Sequence, residues 1–449
     1  MIVTDHNGKP YIKGTIMKKT LNAFLILIGM IAMLFVGAII VNLSLFDEEL
    51  LPEVKAIKDI VAKPYQADNA YPAIVGFRFY SDMSYPMATE KIRNQLNRNI
   101  AETGKDYLTD PNWQQSSNTK ISAKELDLNL NCNFQEHPDC ISRQVNVIQN
   151  NPIINSDSKK LINRYDQLIN YKNYSGATQT NFQSQLEYDP LLKTQRIFLI
   201  EHLLNNTNMF STKRLKDLVF WRMMVKNSNL LLTKIISVAA IHNNIKITAY
   251  AIQSDKLSND QLLAIQNQLY SGLTQKEHSL LTTLKFEMKG AINYFESYEN
   301  ENNDFFSQLF YQPNATQNLH FITNIKTLDS IDQLNSRDFY QVFQTKEWPG
   351  QIELKSAISL YNPTGKLMVT PTISAYQDYF ARMHDLNAML ALLNLRIELA
   401  LNKDQKINSV INHSTHKNPY TLEPFDYDSE ANTIGFDCLN KTMLCEIAL

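Results

Sequence analysis

The apolar positions of the chain begin with one uninterrupted run, Ala23 to Val41, which contains no charged residue. At 1.5 Å per residue, this run nearly spans a hydrocarbon core of about 30 Å. Basic residues precede it and acidic residues follow it. The positive-inside rule then predicts a cytoplasmic N-terminus and a body across the membrane. The flanking charges are Lys9, Lys13, Lys18 and Lys19 on one side and Asp47, Glu48 and Glu49 on the other.

A removable signal peptide is the alternative interpretation of this run. Signal peptides have an apolar core of about 7–15 residues that ends at a small-x-small cleavage site. The run here is longer, and the segment VNLSLFDEE that follows offers no Ala-x-Ala site. The pattern therefore favours a retained transmembrane anchor.

Beyond the anchor, apolar residues recur at spacings of three and four, which is the period of amphipathic helices. Ser156–Tyr171 and Leu191–Leu204 both show this pattern. Ser211 and Thr212 are predicted to cap a long helix that runs towards Asn243.

Three further segments are predicted to be helical. Leu230–Ile241 is apolar, but it is interrupted by Lys234 and too short to span a membrane, which indicates a core helix. A capping box at Ser258 and Gln261 predicts a helix to Tyr270. The helix Ser374–Asn402 is apolar nearly all round at its centre, which predicts burial on several sides.

The ends of the body have a different pattern. Residues 47–66 predict a short helix and linker, and Tyr71–Tyr80 predicts a strand-like or buried segment. The last 40 residues alternate turn residues with short strand-like pieces, which predicts a terminal β-hairpin. The predicted fold class is thus mainly α, with an N-terminal transmembrane helix, a large helical body and a small β-hairpin-like end. The predicted division is 1–20 cytoplasmic, 21–46 anchor, 47–66 linker, 67–403 helical body and 404–449 disulfide-stapled C-terminal segment.

Composition narrows the possible functions. The formal net charge of −2 gives no electrostatic case for nucleic acid binding. A hydrophobic content of 44% is typical of a folded body. Only 12 of the 449 residues are glycine, which disfavours a glycine-dependent phosphate loop.

Four cysteines follow the anchor, and an even count in an oxidising compartment predicts disulfides. The simplest pairing is local, Cys132–Cys140 and Cys438–Cys445, although three connectivities are possible. Neither spacing is Cys-x-x-Cys, so a redox-active dithiol is not indicated. A zinc site with His137 is a less favoured alternative. Together with the anchor, the cysteines predict a Gram-negative inner-membrane protein with a periplasmic body.

The search for catalytic motifs returns little. The pair His413 and His416 has HxxH spacing but lacks the Glu of HExxH. Asn362-Pro-Thr-Gly-Lys366 lacks the first glycine of a phosphate loop, where Leu360 stands, and predicts a plain turn. No catalytic residue, metal or cofactor is predicted. The histidines to inspect for a site assembled by the fold are His202, His242, His320 and His384.

Two aromatic clusters are the remaining candidates for binding. Such stripes at helical spacing are usually core. The functional interpretation is that these residues form a hydrophobic groove for a lipid or a client chain, with arginines at its rim. The candidate binding residues are Phe220, Trp221, Arg222, Tyr376, Phe380 and Arg382.

Several short motifs are scattered over most of the body. They are Asp68-Asn-Ala-Tyr71 with Gly76, the Cys132/Cys140 pair, Asn163-Arg-Tyr165, Phe220-Trp221-Arg222, Asn362-Pro-Thr-Gly-Lys366, the Ala381–Leu386 helix and Pro424-Phe-Asp-Tyr427. Together they resemble motifs of a group of uncharacterised single-pass inner-membrane proteins found across Proteobacteria. The resemblance implies topology and compartment, and it implies no activity.

The architecture is also similar to that of the membrane-anchored chaperones of secreted lipases. Their motif Arg-x-x-Phe-Asp-Tyr is matched at Phe425-Asp-Tyr427, but Leu422 stands at the arginine position. The analogy therefore extends to architecture alone.

These observations predict a non-enzymatic, membrane-anchored periplasmic protein that binds or scaffolds another envelope component, with an envelope protein as its partner. Two alternatives remain open. One is a periplasmic hydrolase whose site is assembled by the fold, and the other is a carrier of a lipid or hydrophobic ligand.

Overall fold

The computed structural model describes residues 13–106, 120–123, 134, 137–150, 156–178, 186–268, 272–301, 309–349, 360–369 and 373–449. These residues are mainly helical, and three short strands form a sheet near the C-terminus. The predicted fold class is confirmed. Within the first helix, Thr20–Val41 is the one described segment long and apolar enough to cross a membrane.

The helices, numbered here in chain order, are α1 (Lys13–Val41), α2 (Pro52–Lys58), α3 (Ala70–Val75), α4 (Tyr85–Thr103), α5 (Cys140–Asn150), α6 (Ser156–Leu168), α7 (Tyr188–Asn205), α8 (Thr207–Asn227), α9 (Leu231–Gln253), α10 (Asn259–Gln268), α11 (Gln275–His278), α12 (Leu281–Glu301), α13 (Pro313–His320), α14 (Thr327–Asp332), α15 (Ser336–Thr345), α16 (Pro363–Met368), α17 (Ile373–Leu401) and α18 (Ile407–His413). A 3-10 turn covers Ser44–Phe46, and a π-helical turn covers Phe321–Lys326.

The chain divides into two compact units. Of the described residues, unit 1 comprises those within 1–55, 292–322 and 353–370, and unit 2 comprises those within 56–291, 323–352 and 371–449. This grouping differs from the consecutive segments predicted from the sequence, because two stretches distant along the chain fold with α1.

The core of unit 2 is built on α9 and α17. Both are buried on nearly all sides, as the apolar centre of each predicted, and they pack against each other. Helices α7 and α8 also pack on α9. A buried carboxylate, Asp217 of α8, accepts hydrogen bonds from Gln195 and Asn244 at 3.0 and 2.8 Å and from the hydroxyl of Tyr165. These polar contacts fix the register of α6 to α9.

Two local predictions are confirmed. Ser258 and Gln261 form the reciprocal bonds of a capping box before α10. The segment Leu230–Ile241 lies within the buried helix α9. The capping role of Ser374 falls outside the residues whose side chains are described.

The predicted long helix from Ser211 towards Asn243 is wrong. Helix α8 begins at Thr207, where the Asn206 side chain accepts from the Met209 N–H at 3.0 Å, and it ends at Asn227. Two residues beyond the end of the helix, Asn229 donates to the carbonyl oxygens of Gly176 and Ala177 at 3.1 and 2.7 Å, and these bonds hold the chain in its non-helical course. A tertiary contact thus overrides the helical pattern.

The strand-like interpretation of Tyr71–Tyr80 is also wrong, although the segment is largely buried. Its first half is α3, capped by the Asn69 side chain. Its second half is a turn whose carbonyl oxygens accept from the Arg164 guanidinium, including those of Phe77, Phe79 and Tyr80. Arg164 of α6 thus satisfies carbonyl oxygens that would be bonded to a neighbouring strand if this segment were part of a sheet.

The C-terminal segment forms an antiparallel sheet in the order β1 (Asp426–Asp428), β2 (Thr433–Gly435) and β3 (Glu446–Ala448). The pairing sets Ile434 opposite Tyr427 and Ile447. The predicted Cys438–Cys445 disulfide closes the connection between β2 and β3. Cys140 is also disulfide-bonded, while Cys132 lies outside the described residues.

Candidate functional site

A concavity of about 590 Å³ lies in unit 2 between α5, the C-terminal half of α9 and strand β3. This volume is within the range of small-molecule and peptide side-chain sites. Its wall is mixed, with apolar residues beside polar ones. The wall includes Phe134, Ile141, Ser142, Lys246, Tyr250, Gln253, Glu446 and Ile447.

Lys246 is the charged group in the wall that the fold buries, since only 8% of the residue is exposed. Its ammonium donates to the backbone carbonyl of Glu446 at 2.5 Å. It also lies 5.7 Å from the ring centroid of Phe134. The lysine is therefore held at the wall by one backbone acceptor and one aromatic face.

Lys246 belongs to a row of donors along the outer edge of β3. His242 Nε2 donates to the Leu444 carbonyl at 3.2 Å, and Arg396 Nε donates to the Ala448 carbonyl at 3.0 Å. With Lys246 on Glu446, three alternate carbonyls accept from side chains of α9 and α17: that of Leu444 just before β3, and those of Glu446 and Ala448 within it. An exposed strand edge invites pairing with another chain, and these donors occupy its acceptors.

Burial changes the proton affinity of these groups. Desolvation lowers the pKa of Lys246 to about 7. Desolvation, and then the neighbouring Lys246, lower the pKa of His242 to about 3. His242 is thus neutral near pH 7, with its proton on Nε2, and Lys246 is poised to gain a full charge when an anion approaches.

The Lys246 ammonium can bind an acidic group. Two carboxylates, those of Asp139 and Glu446, line the same wall, and that of Asp139 is paired with Arg143 at 2.7 Å. A lysine ammonium has three N–H donors, and the Glu446 carbonyl takes one of them. A carboxylate entering the concavity would raise the pKa of the lysine and form a charge-assisted hydrogen bond. The apolar part of the wall can accommodate the body that carries such a group.

A second arrangement, in unit 1, surrounds the end of the apolar helix. The side chain of Asn42, which is 4% exposed, donates to the Ala38 and Leu360 carbonyls at 2.7 and 2.5 Å. Its oxygen accepts from the Asn362 N–H at 2.7 Å. The backbone carbonyl of Asn42 accepts from the Gln312 side chain. We call this set of contacts the anchor junction.

The acidic residues that follow α1 also bond to unit 1 at this junction. The Asp47 carboxylate accepts from the Asn314 and Ala315 N–H groups at 3.0 Å each, at the N-terminus of α13. A carboxylate is favoured there by unpaired N–H groups and by the helix dipole. Asn318 in turn donates to Glu48 at 3.1 Å.

The motif Asn362-Pro-Thr-Gly-Lys366 lies at the centre of the junction. Asn362 caps α16 by accepting from the Gly365 N–H at 3.1 Å, and the same oxygen accepts from the Gln312 N–H at 3.0 Å. The plain turn predicted here is wrong: residues 363–366 begin helix α16, because the Asn362 side chain caps it. The same residue joins α13 to the end of α1.

The predicted binding residues are mostly interior. Phe220, Trp221 and Phe380 are at most 1% exposed, which is the core position that aromatic stripes usually take. Arg222 is buried and forms a two-pronged ion pair with Glu277 at 2.7 Å. Tyr376 and Arg382 are half-buried, and Arg382 donates to Thr442 at 3.3 Å. These residues do not meet at one described surface.

The histidines give one notable contact. His384 Nδ1 lies 3.1 Å from the Ser336 hydroxyl and 3.2 Å from His278 Nε2. Among the described residues, no group bonds to His384 Nε2, so the ring lacks the orienting partner of a catalytic triad. The Phe339 ring stacks on the His384 ring with centroids 4.2 Å apart, and only 1% of His384 is exposed.

A potential metal-ligand cluster is occupied by other bonds. Among the described residues, Asp385, Cys438 and Cys445 are the group of three whose ligand atoms lie within 4.8 Å of one another. Both sulfurs belong to the disulfide. Asp385 accepts from the Leu439 and Asn440 N–H groups at 3.0 and 2.8 Å, which holds the disulfide loop against α17.

Lys246, Asn42 and Gln312 were missed by the sequence reasoning. Lys246 had a detectable signal, since it is a lysine within the apolar stretch that continues from Leu230–Ile241. Asn42 follows α1 directly, but a polar residue at the end of an apolar helix is ordinary. Gln312 carries no local signal, because its role depends on contacts across about 270 residues.

Comparison with known proteins finds no matching family model, no matching curated protein and no matching solved structure. The described residues themselves show a mainly helical protein with an apolar N-terminal helix and a C-terminal sheet that is closed by a disulfide.

Proposed function

We propose that this protein is a membrane-tethered, non-enzymatic binding protein of the bacterial periplasm, and that it scaffolds another envelope component. The observation that carries the proposal is the anchor junction. Asn42, Asp47 and Glu48 are built into a folded unit, so the apolar helix acts as a structural part of the protein and as its tether.

The concavity beside β3 is the binding site in this proposal. Lys246 offers a cation at a wall that also holds Phe134, Tyr250 and Ile447. A partner with a carboxylate on an apolar body, such as an acidic side chain or chain terminus of an envelope protein, matches this chemistry.

The test is mild detergent extraction of the full-length protein, followed by mass spectrometry of the proteins that co-purify. We expect an envelope protein near stoichiometry, and we expect Tyr250→Ala to reduce its recovery several-fold. Tyr294→Ala is the matched control, because that tyrosine is 59% exposed and is not among the residues that line the concavity.

Equal recovery with both tyrosine variants would refute the concavity as the binding site. Recovery of the protein alone, under several extraction conditions, would refute the scaffold proposal and favour a small ligand.

A further inference from the structure

Unit 1 exposes large apolar side chains on both segments that meet at the anchor junction. Leu45 and Leu367 are 85% and 72% exposed. Phe46 and Leu360 are 52% and 49% exposed. Isolated exposed leucines are ordinary, but a cluster on two adjoining segments indicates a surface that is not in water.

The junction fixes where these side chains lie along the anchor. The Leu360 carbonyl is bonded to Asn42, the residue that follows the last residue of α1. Phe310 lies two residues before Gln312, and its ring contacts Phe35 in α1 with centroids 6.2 Å apart. Segments 310–312 and 360–362 therefore flank the last two turns of the anchor.

The length of the apolar helix, compared with the thickness of the bilayer, gives the depth of these segments in the membrane. Thr20–Val41 has 22 residues, which is about 33 Å of helix against a hydrocarbon core of about 30 Å. A span of this length ends close to Val41. The level of Phe35 to Asn42 is then the outer hydrocarbon and the headgroup region.

The polar residues of the same segments suit that interface. Tyr361 donates from its hydroxyl to the Phe46 carbonyl at 3.1 Å, and Lys366 donates to the Tyr361 carbonyl at 2.9 Å. Tyrosine and lysine place an apolar body in lipid and a polar end at the headgroups.

We infer that residues 43–46 and 360–368 form a collar around the end of the anchor, and that Leu45, Phe46, Leu360 and Leu367 contact lipid at the membrane interface. The inference rests on the proposed function, since it requires α1 to be inserted in the bilayer. It adds that unit 1 is seated on the lipid surface at a fixed level, because its segments 43–46 and 360–368 are bonded to the end of α1.

The experiment uses the full chain in phospholipid vesicles, with an environment-sensitive fluorophore on one introduced cysteine at a time. The cysteines of the described residues are disulfide-bonded, so a new thiol can be labelled selectively. The labelled variants are Leu367→Cys in the collar, Met33→Cys in the anchor and Leu263→Cys on α10. These positions are 72%, 70% and 44% exposed, so substitution leaves the packing intact.

Lipids brominated near the headgroup end of their chains should quench the Leu367→Cys label more than lipids brominated near the methyl end. The Met33→Cys label should show the opposite order, and the Leu263→Cys label should keep its fluorescence. Quenching at Met33→Cys without quenching at Leu367→Cys would overturn the collar and leave the anchor in place.

Two other results are equally decisive. Equal quenching at Leu263→Cys and Leu367→Cys would overturn the collar, because lipid contact would not be specific to it. Absence of quenching at Met33→Cys would show that α1 is outside the bilayer, and the proposed function would fail.

Discussion

Asn362 adopts a left-handed backbone conformation, with φ and ψ both 49°. Asparagine accepts this region better than most residues. In this conformation its side-chain oxygen accepts from the N–H groups of Gln312 and Gly365, and its own N–H donates to the side chain of Asn42. One residue thus connects the anchor, α13 and α16, and the space around it is tight.

That tightness predicts the effect of Gly365→Ala. A Cβ at this position would overlap the Thr316 hydroxyl and the Asn362 side chain, so the junction must shift. We expect a loss of about 1–3 kcal/mol in the free energy of unfolding, measured by thermal unfolding of the full-length protein in detergent. Gly29→Ala is the control, because nothing lies within 4 Å of its added Cβ. Equal stability of the two variants would contradict the proposed packing.

The buried Lys246 predicts that the free energy of unfolding depends on pH. An unfolded lysine holds its proton to about pH 10, whereas burial lowers the pKa of folded Lys246 to about 7. Between these values the unfolded chain binds more protons, so the free energy of unfolding rises with pH. Lys246→Met removes this contribution, on the order of a few kcal/mol.

The measurement is denaturant unfolding from pH 7 to pH 10, with Lys226→Met as the matched control. Lys226 is an exposed lysine of α8. The wild type and the control should gain stability over this range to the same extent, and Lys246→Met should gain less. Desolvation also lowers the pKa of Lys234 to about 8, but that contribution is common to all three proteins.

At the scale of elements, the C-terminal sheet depends on the connection between β2 and β3. Each strand has three residues, too few for a sheet that is stable by itself. The Cys438–Cys445 bond, the Asp385 contacts to the loop and the side-chain donors on the Glu446 and Ala448 carbonyls supply the missing stability.

Replacement of both cysteines, Cys438→Ser with Cys445→Ser, should therefore loosen this sheet first. The chain-entropy model gives a cost of about 2 kcal/mol for so short a loop. Hydrogen exchange should accelerate at the Phe436 N–H, which donates to the Cys445 carbonyl at 3.0 Å. The amide of Leu393, in the centre of α17, is the internal control. Unchanged exchange at Phe436 would mean that the disulfide does not support the strand pairing.

The elements also show where sequence reasoning succeeds. Helices α6, α7 and α10 follow from periodicity and caps, because those signals act within a few residues. The break between α8 and α9 does not, because Asn229 is held by carbonyls of residues about 50 positions earlier. The residues of the candidate site could not be predicted from the sequence for the same reason. Phe220 and Trp221 form core, whereas Lys246 gains its setting only when β3 folds against α9.

For the whole molecule, the main question is whether α1 remains part of the mature protein. Cleavage near Asn42 would leave the Leu360 carbonyl, the Asn362 N–H and the Gln312 side chain without the partners they have now. Each buried polar group left unpaired costs about 1–3 kcal/mol. The junction therefore favours a chain that keeps its N-terminus.

We expect full-length protein tagged at both ends to appear as one membrane-bound species that carries both tags, with an intact mass that includes residues 1–41. The control is a variant with Asn42→Ala and Ser44→Ala, which introduces the small-x-small pattern that signal peptidases require. This variant should yield a shorter form that lacks the N-terminal tag. If the unmodified chain gave the shorter form, α1 would be a signal sequence, and the tether in our proposal would not exist.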